Sequence, residues 1–237
     1  MSDSIIIIPT FNEIENIELI IRKIFSYDKP FHILIVDDNS PDKTAEKVKE
    51  LQKEYATQLF LLERPVKDGL GNAYKAGFDW VLDKDYEYIF EMDADFSHNP
   101  DDIIRLYNAC SKDGIELAIG SRYCKGGKVK NWPVSRILMS YFASVYVRII
   151  LKIGIKDTTA GFKCYSKKAL QTVNYKIIPF KGYAFQICMK YGVLKHNFGV
   201  TEVPITFIDR QRGTSKMSPG IFKEAFFGVW KMRKMKL

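Results

Sequence analysis

Short apolar runs alternate with longer mixed segments through the first half of this chain. The runs Ile5 to Ile8, His32 to Val36, Leu59 to Leu62, Tyr88 to Met92 and Glu116 to Gly120 have strand length and are rich in Ile, Leu and Val. Between them, Glu13 to Phe25, Thr44 to Tyr55, Gly71 to Leu82 and Asp102 to Lys112 read as helices. Apolar strands separated by helices of about ten to fifteen residues predict a mostly parallel sheet covered on both faces. Ligands of such sheets bind beyond the carboxyl ends of the strands.

The polar clusters fall at those ends. Pro9-Thr10-Phe11-Asn12-Glu13, Asp37-Asp38-Asn39-Ser40-Pro41-Asp42, Asp93-Ala94-Asp95 and Ser121-Arg122-Tyr123 each follow a strand, so all four are expected to face one crevice. Asn12 and Asp42 also suit simple helix caps. Asp93 and Asp95 are two residues apart, so in extended backbone their carboxylates leave on one side while small Ala94 points away. Hard oxygen ligands select Mg²⁺ or Mn²⁺, which combine one or two carboxylates with substrate phosphates. Taken alone, the same pair also describes a solvated acidic turn. No GxGxxG follows the first strand and no GxxxxGK[ST] occurs, which weakens dinucleotide and P-loop readings. Gly69-Leu70-Gly71 opens the helix after the third strand.

Beyond Ser121 the alternation stops. Gly126-Gly127 reads as a mobile loop, and Val134 to Ile155 as a long apolar helix interrupted by Arg136, Arg148 and Lys152. Arg148 and Lys152 lie one helical turn apart, which argues against a transmembrane span. A helix on a membrane surface or against the core fits better. Ile221 to Leu237 sets Phe222, Phe226, Phe227 and Trp230 among Lys223, Lys231, Arg233, Lys234 and Lys236. That mixture suits an interfacial anchor, or a helix docked on the domain or a partner.

Length and composition, 237 residues and 46 % hydrophobic, suit one large α/β domain. Charge changes the picture more. Residues 1–121 hold 13 Lys+Arg against 24 Asp+Glu (−11), and residues 122–237 hold 23 against 4 (+19), for a net of +8. Such polarity calls for an anionic partner of the second half: nucleic acid, a phosphorylated substrate or an anionic membrane face. The acidic first half disfavours nucleic acid. Cys110, Cys124, Cys164 and Cys188 lack CxxC spacing, so no zinc site or redox pair is expected, only thiols of a reducing cytosol. No signal peptide is read at the N-terminus.

With the clusters assembled, the chain resembles the dolichyl- and polyprenyl-phosphate mannosyltransferases, inverting glycosyltransferases of GT-A fold, in their short form without a C-terminal transmembrane domain. The four clusters carry the resemblance, together with Gly69-Leu70-Gly71, Phe96-Ser97-His98 after the carboxylate pair, Trp132, Asp157-Thr158-Thr159-Ala160-Gly161-Phe162, Lys181-Gly182-Tyr183-Ala184-Phe185-Gln186, Asp209-Arg210, Gly213, Ser215 and Lys216. It implies a GT-A catalytic domain over 1–216, with a nucleotide-sugar half at 1–121, an acceptor half at 122–216 containing interfacial helix 134–155, and a basic amphipathic helix over 217–237.

The resemblance also implies the site. Pro9, Phe11, Glu13, Asp37 and Asp38 would surround the nucleoside, Asp93, Ala94 and Asp95 the diphosphate, and Asp93, Asp95 and Ser97 the Mg²⁺ or Mn²⁺. Arg122 resembles a phosphate clamp, and Arg136 the arginine serving the acceptor phosphate. Arg210, Ser215 and Lys216 belong to a segment expected to close over the phosphates. Asp95, Arg122, Arg136 and Arg210 are the implied catalytic residues. The implied reaction moves mannose from GDP-mannose to dolichyl or polyprenyl monophosphate with inversion, by a peripheral protein at the cytoplasmic membrane face. A small membrane subunit is a further partner to consider, and nucleic acid is not one. A lipid phosphate is already anionic near neutral pH, so no strong base is needed. In this family an acid often stands two residues after Gln186, and here that residue is Cys188, which mildly favours a phosphate acceptor. Three other readings stay open: a UDP-sugar donor, a hydroxyl acceptor, for which no QxxRW is present, and a catalytically silent binding module.

Overall fold

The computed structural model describes residues 2–210, 212 and 220–237, without the side chains of Ile221 and Phe222. The first half follows the expected series: β1 (Ser4–Thr10), α1 (Ile14–Phe25), β2 (His32–Asp37), α2 (Thr44–Gln52), β3 (Leu59–Glu63), α3 (Leu70–Leu82), β4 (Tyr88–Glu91), α4 (Asp102–Cys110) and β5 (Ile115–Ser121). The second half adds β6 (Lys128–Lys130), α5 (Val134–Leu151), β7 (Lys163–Ser166), α6 (Lys167–Thr172), α7 (Tyr183–Lys195), β8 (Gly199–Pro204), β9 (Thr206–Ile208) and α8 (Gly220–Met232).

Seven strands form one sheet in the order β3-β2-β1-β4-β7-β5-β8. Only β7 runs antiparallel to its neighbours, β4 and β5. The sheet is therefore mixed and mostly parallel. Both faces are covered, which is why Ile5 to Ile8 are all fully buried and β1 reads as a continuous apolar run rather than an alternating one. Ile6, Ile8 and Ile33 pack with Ile17, Ile20, Val48 and Leu106 from α1, α2 and α4. Ile5, Ile7 and Leu34 face Phe78 of α3, Val193 of α7 and Val229 and Met232 of α8.

Helix α1 forms because Ile17, Ile20, Ile21 and Ile24 recur at helical spacing and bury one stripe. Its first N–H is satisfied from outside, as Ile14 donates to Asp42 Oδ2 at 3.0 Å. Asp42 Oδ1 meanwhile accepts from Thr44 N at 3.0 Å at the start of α2. Asp42 is not itself the cap residue, which is Lys43 in α2, but its one carboxylate serves the entrances of two helices.

Three expectations for the second half need correction. Helix α5 ends at Leu151, not Ile155, because Lys152 turns left-handed (φ 56°) and closes back on Arg148 O. Gly126-Gly127 is a packed turn, since a Cβ on Gly127 would lie 2.6 Å from the Arg122 backbone. The C-terminal helix, described from Gly220, ends at Met232 and not at Leu237, while residues 217–219 of the expected span lie outside the described residues. It does not stand apart, for Val229 and Met232 are fully buried while Phe226, Phe227 and Trp230 remain more than half exposed.

By length and composition α5 could cross a membrane. It exposes Val134, Leu138, Phe142 and Ile149 and buries only Ser144, Val147 and Leu151. Its Tyr146 stacks on Phe226, with ring centres 4.9 Å apart, and accepts Trp230 Nε1–H at 2.9 Å. Helices α5 and α8 thus present adjoining apolar surfaces.

Candidate active site

Two clefts meet at the ends of β1, β4 and β5. The larger, about 550 Å³, is lined by Pro9, Phe11, Glu13, Asp38, Lys67 and Ala94 among others. The smaller, about 100 Å³, is lined by Ser97, His98, Arg122, Trp132, Arg136 and Thr159 among others. Asp93, Asp95, Tyr183 and Arg210 line both. A group bound in one cleft therefore meets a group bound in the other over the two aspartates.

On the nucleoside side, β1 and β2 pair with Thr10 opposite Asp37. Asp37 accepts from Thr10 Oγ1 at 2.8 Å and from Ser40 N and Oγ at 2.8 and 2.6 Å. It braces the strand ends next to Asp38, which itself lines the cleft. Arg64 bridges Asp38 and Asp68. Burial lifts the Asp38 carboxyl above its ordinary range, with Arg64 opposing. Lys67 Nζ stands 4.0 Å from the Phe11 ring centre, and Glu13 accepts from Asn16 Nδ2 at 2.9 Å.

The carboxylate pair follows β4 directly. Asp95 Oδ1 accepts from Ser97 N at 3.0 Å, and Oδ2 meets Arg210 Nη2 at 2.8 Å. Burial and then the Asp95 charge push Asp93 up to about 7, against the opposing charges of Arg210 and Lys163. Two carboxylates that cannot comfortably both ionise are a donor set suited to a divalent cation, which removes that repulsion. Among the described residues no cluster of three or more Asp, Glu, His or Cys forms a metal cage. Mg²⁺ or Mn²⁺ would thus take its remaining ligands from water and phosphate, as these ions commonly do. Ser97 is nearly buried at the edge of the smaller cleft, and its backbone N–H supports Asp95.

Arg122 lies under the smaller cleft. Its Nε and Nη2 donate to Asp157 at 2.7 and 2.6 Å, and Nη2 also to Thr159 Oγ1 at 2.8 Å. Burial would raise Asp157, but Arg122 outweighs it and holds the carboxyl below its usual range. Arg136 lies 3.9 Å over the Trp132 ring and meets Asp209 at 3.1 Å. Arg210 lines both clefts. Ser215 and Lys216 lie outside the described residues.

Sequence reasoning missed a second tier beneath this floor. Glu91 Oε2 accepts from Lys163 Nζ at 2.7 Å and Gln186 Nε2 at 2.8 Å, while Lys163 also donates to Gln186 Oε1. Lys190 Nζ donates to the Thr158 and Ala160 carbonyls at 3.0 and 2.7 Å. These buried lysines pin the segment that carries Asp157 and Thr159. A charge inside an apolar stretch, as in Phe162-Lys163-Cys164-Tyr165, was the available signal. The resemblance implies no role for His98. It stacks on Phe162 at 5.1 Å, lies 3.7 Å from Asp93, and is pushed down to about 4 by burial, hence neutral. Cys188 is buried in the core, its thiol pushed up to about 12 by burial, so it contributes no group to the clefts.

Residues 5–173 match the family description Glycosyl transferase family 2. The chain is 44 % identical over 232 residues to the polyprenol monophosphomannose synthase of Mycolicibacterium smegmatis, covering 97 % of this chain and 87 % of that one. It is 42 % identical over 223 residues to the undecaprenyl-phosphate mannosyltransferase of Micrococcus luteus, covering 94 % and 90 %. A crystal structure of glucosyl-3-phosphoglycerate synthase from Mycobacterium tuberculosis, in complex with Mn²⁺, UDP and phosphoglyceric acid, superposes with a TM-score of 0.70. It is 14 % identical, with 99 % of this chain and 79 % of that one covered. At that identity the likeness shows the α/β GT-A fold.

Proposed function

The chain belongs to glycosyl transferase family 2, and from that premise we propose that it is a polyprenyl-phosphate mannose synthase drawing on GDP-mannose. The two mannosyl-transferring relatives support the sugar and the lipid phosphate acceptor. The observation that carries the reading is the meeting of two clefts over Asp93, Asp95 and Arg210.

In this reading the nucleoside lies along Phe11 and Asp38, and the diphosphate reaches the aspartates. Arg210 donates to the phosphates once it leaves Asp95. A bound Mg²⁺ or Mn²⁺ would offset the negative charge that develops on the departing diphosphate. Arg136, 3.9 Å over the Trp132 ring, offers a guanidinium to the acceptor phosphate, and Arg122, braced by Asp157, stands beneath it. The acceptor phosphate oxygen attacks C1 as the bond from C1 to the nucleotide phosphate breaks on the opposite face, which inverts the configuration. No proton is transferred, and neutral His98 is not called on as a base. The exposed apolar residues of α5 and α8, with Lys223, Lys231 and Arg233 beside them, support a peripheral seat on an anionic membrane face.

Radiolabelled GDP-mannose, UDP-glucose and UDP-GlcNAc, each offered with a polyprenyl phosphate in detergent with Mn²⁺ or with EDTA, test this reading. A mannolipid formed from GDP-mannose and suppressed by EDTA is the expected result. Product from a UDP-sugar alone would replace the donor, and transfer only to a glycan hydroxyl would overturn the acceptor.

A further inference from the structure

Helix α8 turns Phe226, Phe227 and Trp230 outward, but its inner side carries a carboxylate aimed at the backbone of the larger cleft. Glu224 Oε1 accepts the Lys181 N–H and Oε2 the Gly182 N–H, each at 3.0 Å. One helical turn on, Gly228 lies against Phe180, where a Cβ would come within 2.9 Å of the ring. Glutamate and glycine together clasp the segment Phe180-Lys181-Gly182.

The same segment is gripped from its other side by the entrance of α3. Gly71 N donates to Lys181 O at 2.8 Å. A Cβ on Gly69, whose φ is +119°, would stand 2.7 Å from Lys181 Cβ, and one on Gly71 2.7 Å from Phe180 O. Only glycine permits this approach. Lys181, Gly182 and Tyr183 line the larger cleft along with Gly69, Leu70 and Glu224 itself. The wall of that cleft is thus a layered stack: α3 entrance, Lys181-Gly182, then α8.

We propose that Glu224 is a positioning residue for donor binding: by holding the Lys181 and Gly182 amides with both carboxylate oxygens it fixes the cleft wall from α8. Helix α8 is then a structural part of the donor site and not only a surface element. A carboxylate suits this place because each oxygen takes one N–H, and charge-assisted bonds of this kind are about twice as strong as neutral ones. Glutamine retains one acceptor oxygen and alanine none. The inference rests on the donor reading above.

The test compares the full native chain with Glu224→Ala and Glu224→Gln. Glu224→Ala is expected to raise KM for GDP-mannose about tenfold, a loss equivalent to about 1.4 kcal/mol of donor binding, with kcat and the acceptor KM within about twofold of native. Glu224→Gln should fall between native and alanine. Backbone amide exchange should quicken at residues 69–71 and 180–183 in Glu224→Ala while α1 keeps its protection. An unchanged donor KM in Glu224→Ala would overturn the proposal, as would equal loss of kcat with both KM values, the mark of general destabilisation. Absence of turnover of GDP-mannose by the native chain would sink the donor reading instead. The exchange arm needs no donor, and unchanged protection at 180–183 in Glu224→Ala would then overturn the Glu224 link on its own.

Discussion

Most ion pairs within the first 121 residues sit in water, although Arg64 and Asp38 pair at 13 and 8 %. Arg22 joins Glu18 and Glu54 with side chains 43, 36 and 50 % exposed, and Lys49 and Glu63 pair at 51 % each. In the remainder, Arg122 and Asp157 pair at 8 and 0 %, and Lys163 reaches back to Glu91 with both fully buried. Exposed pairs gain little because water already solvates both partners. Buried charges are costly to desolvate and tolerable only when paired, so breaking one pair strands the other charge. The excess positive charge of the second half is therefore partly internal framework, and it surrounds the floor where the clefts meet.

The largest effect is expected from Asp157→Asn, which leaves Arg122 buried without its counter-charge. Urea unfolding should show a loss of about 3–5 kcal/mol, and a variant as stable as native would contradict the framework role. The same pair sets an acid dependence. Because the folded Asp157 is held below its unfolded value of 3.8, its contribution is fully present above that value and is lost only as pH falls through the lower folded pKa.

A smaller effect separates the aspartate pair from both classes. Asp93, pushed up to about 7, keeps its proton below neutrality, and a cation must displace it. Calorimetric Mn²⁺ affinity in the presence of GDP should fall by about tenfold per pH unit below about 7. A flat profile there would mean that Asp93 is already ionised. The smallest effect belongs to the surface: Glu54→Gln should move Tm by less than about 2 °C. A larger drop would erase the contrast between exposed and buried pairs.

The first half of the fold was legible because its signals are local. All five strands and four helices appear within a few residues of their expected bounds, since Ile/Leu/Val runs and helical periodicity need no tertiary information. The strand β7 was not legible. It is four residues long, contains a lysine, and inserts antiparallel between β4 and β5 from far along the chain. Likewise Asp93, Asp95, Arg136 and Arg210, singled out by motif order, all line the smaller cleft, but the tier of Glu91, Lys163, Gln186 and Lys190 exists only once β4, β7 and α7 meet. Asp37 shows the converse: a motif residue at a strand end, turned into a brace by Thr10 and Ser40.

The aromatic contacts described above also give the molecule built-in optical labels. Its three tryptophans occupy three different settings. Trp80 packs on Phe60 beneath Lys84, remote from the clefts. Trp132 lies under the Arg136 guanidinium in the smaller cleft. Trp230 is half exposed on α8 and hydrogen-bonded to Tyr146. Emission from Trp132 will sense whatever draws Arg136 off its ring, and emission from Trp230 the polarity outside α8. Trp80 supplies an internal reference, so displacement of Arg136 and a change of polarity outside α8 each have a reporter in one unlabelled chain.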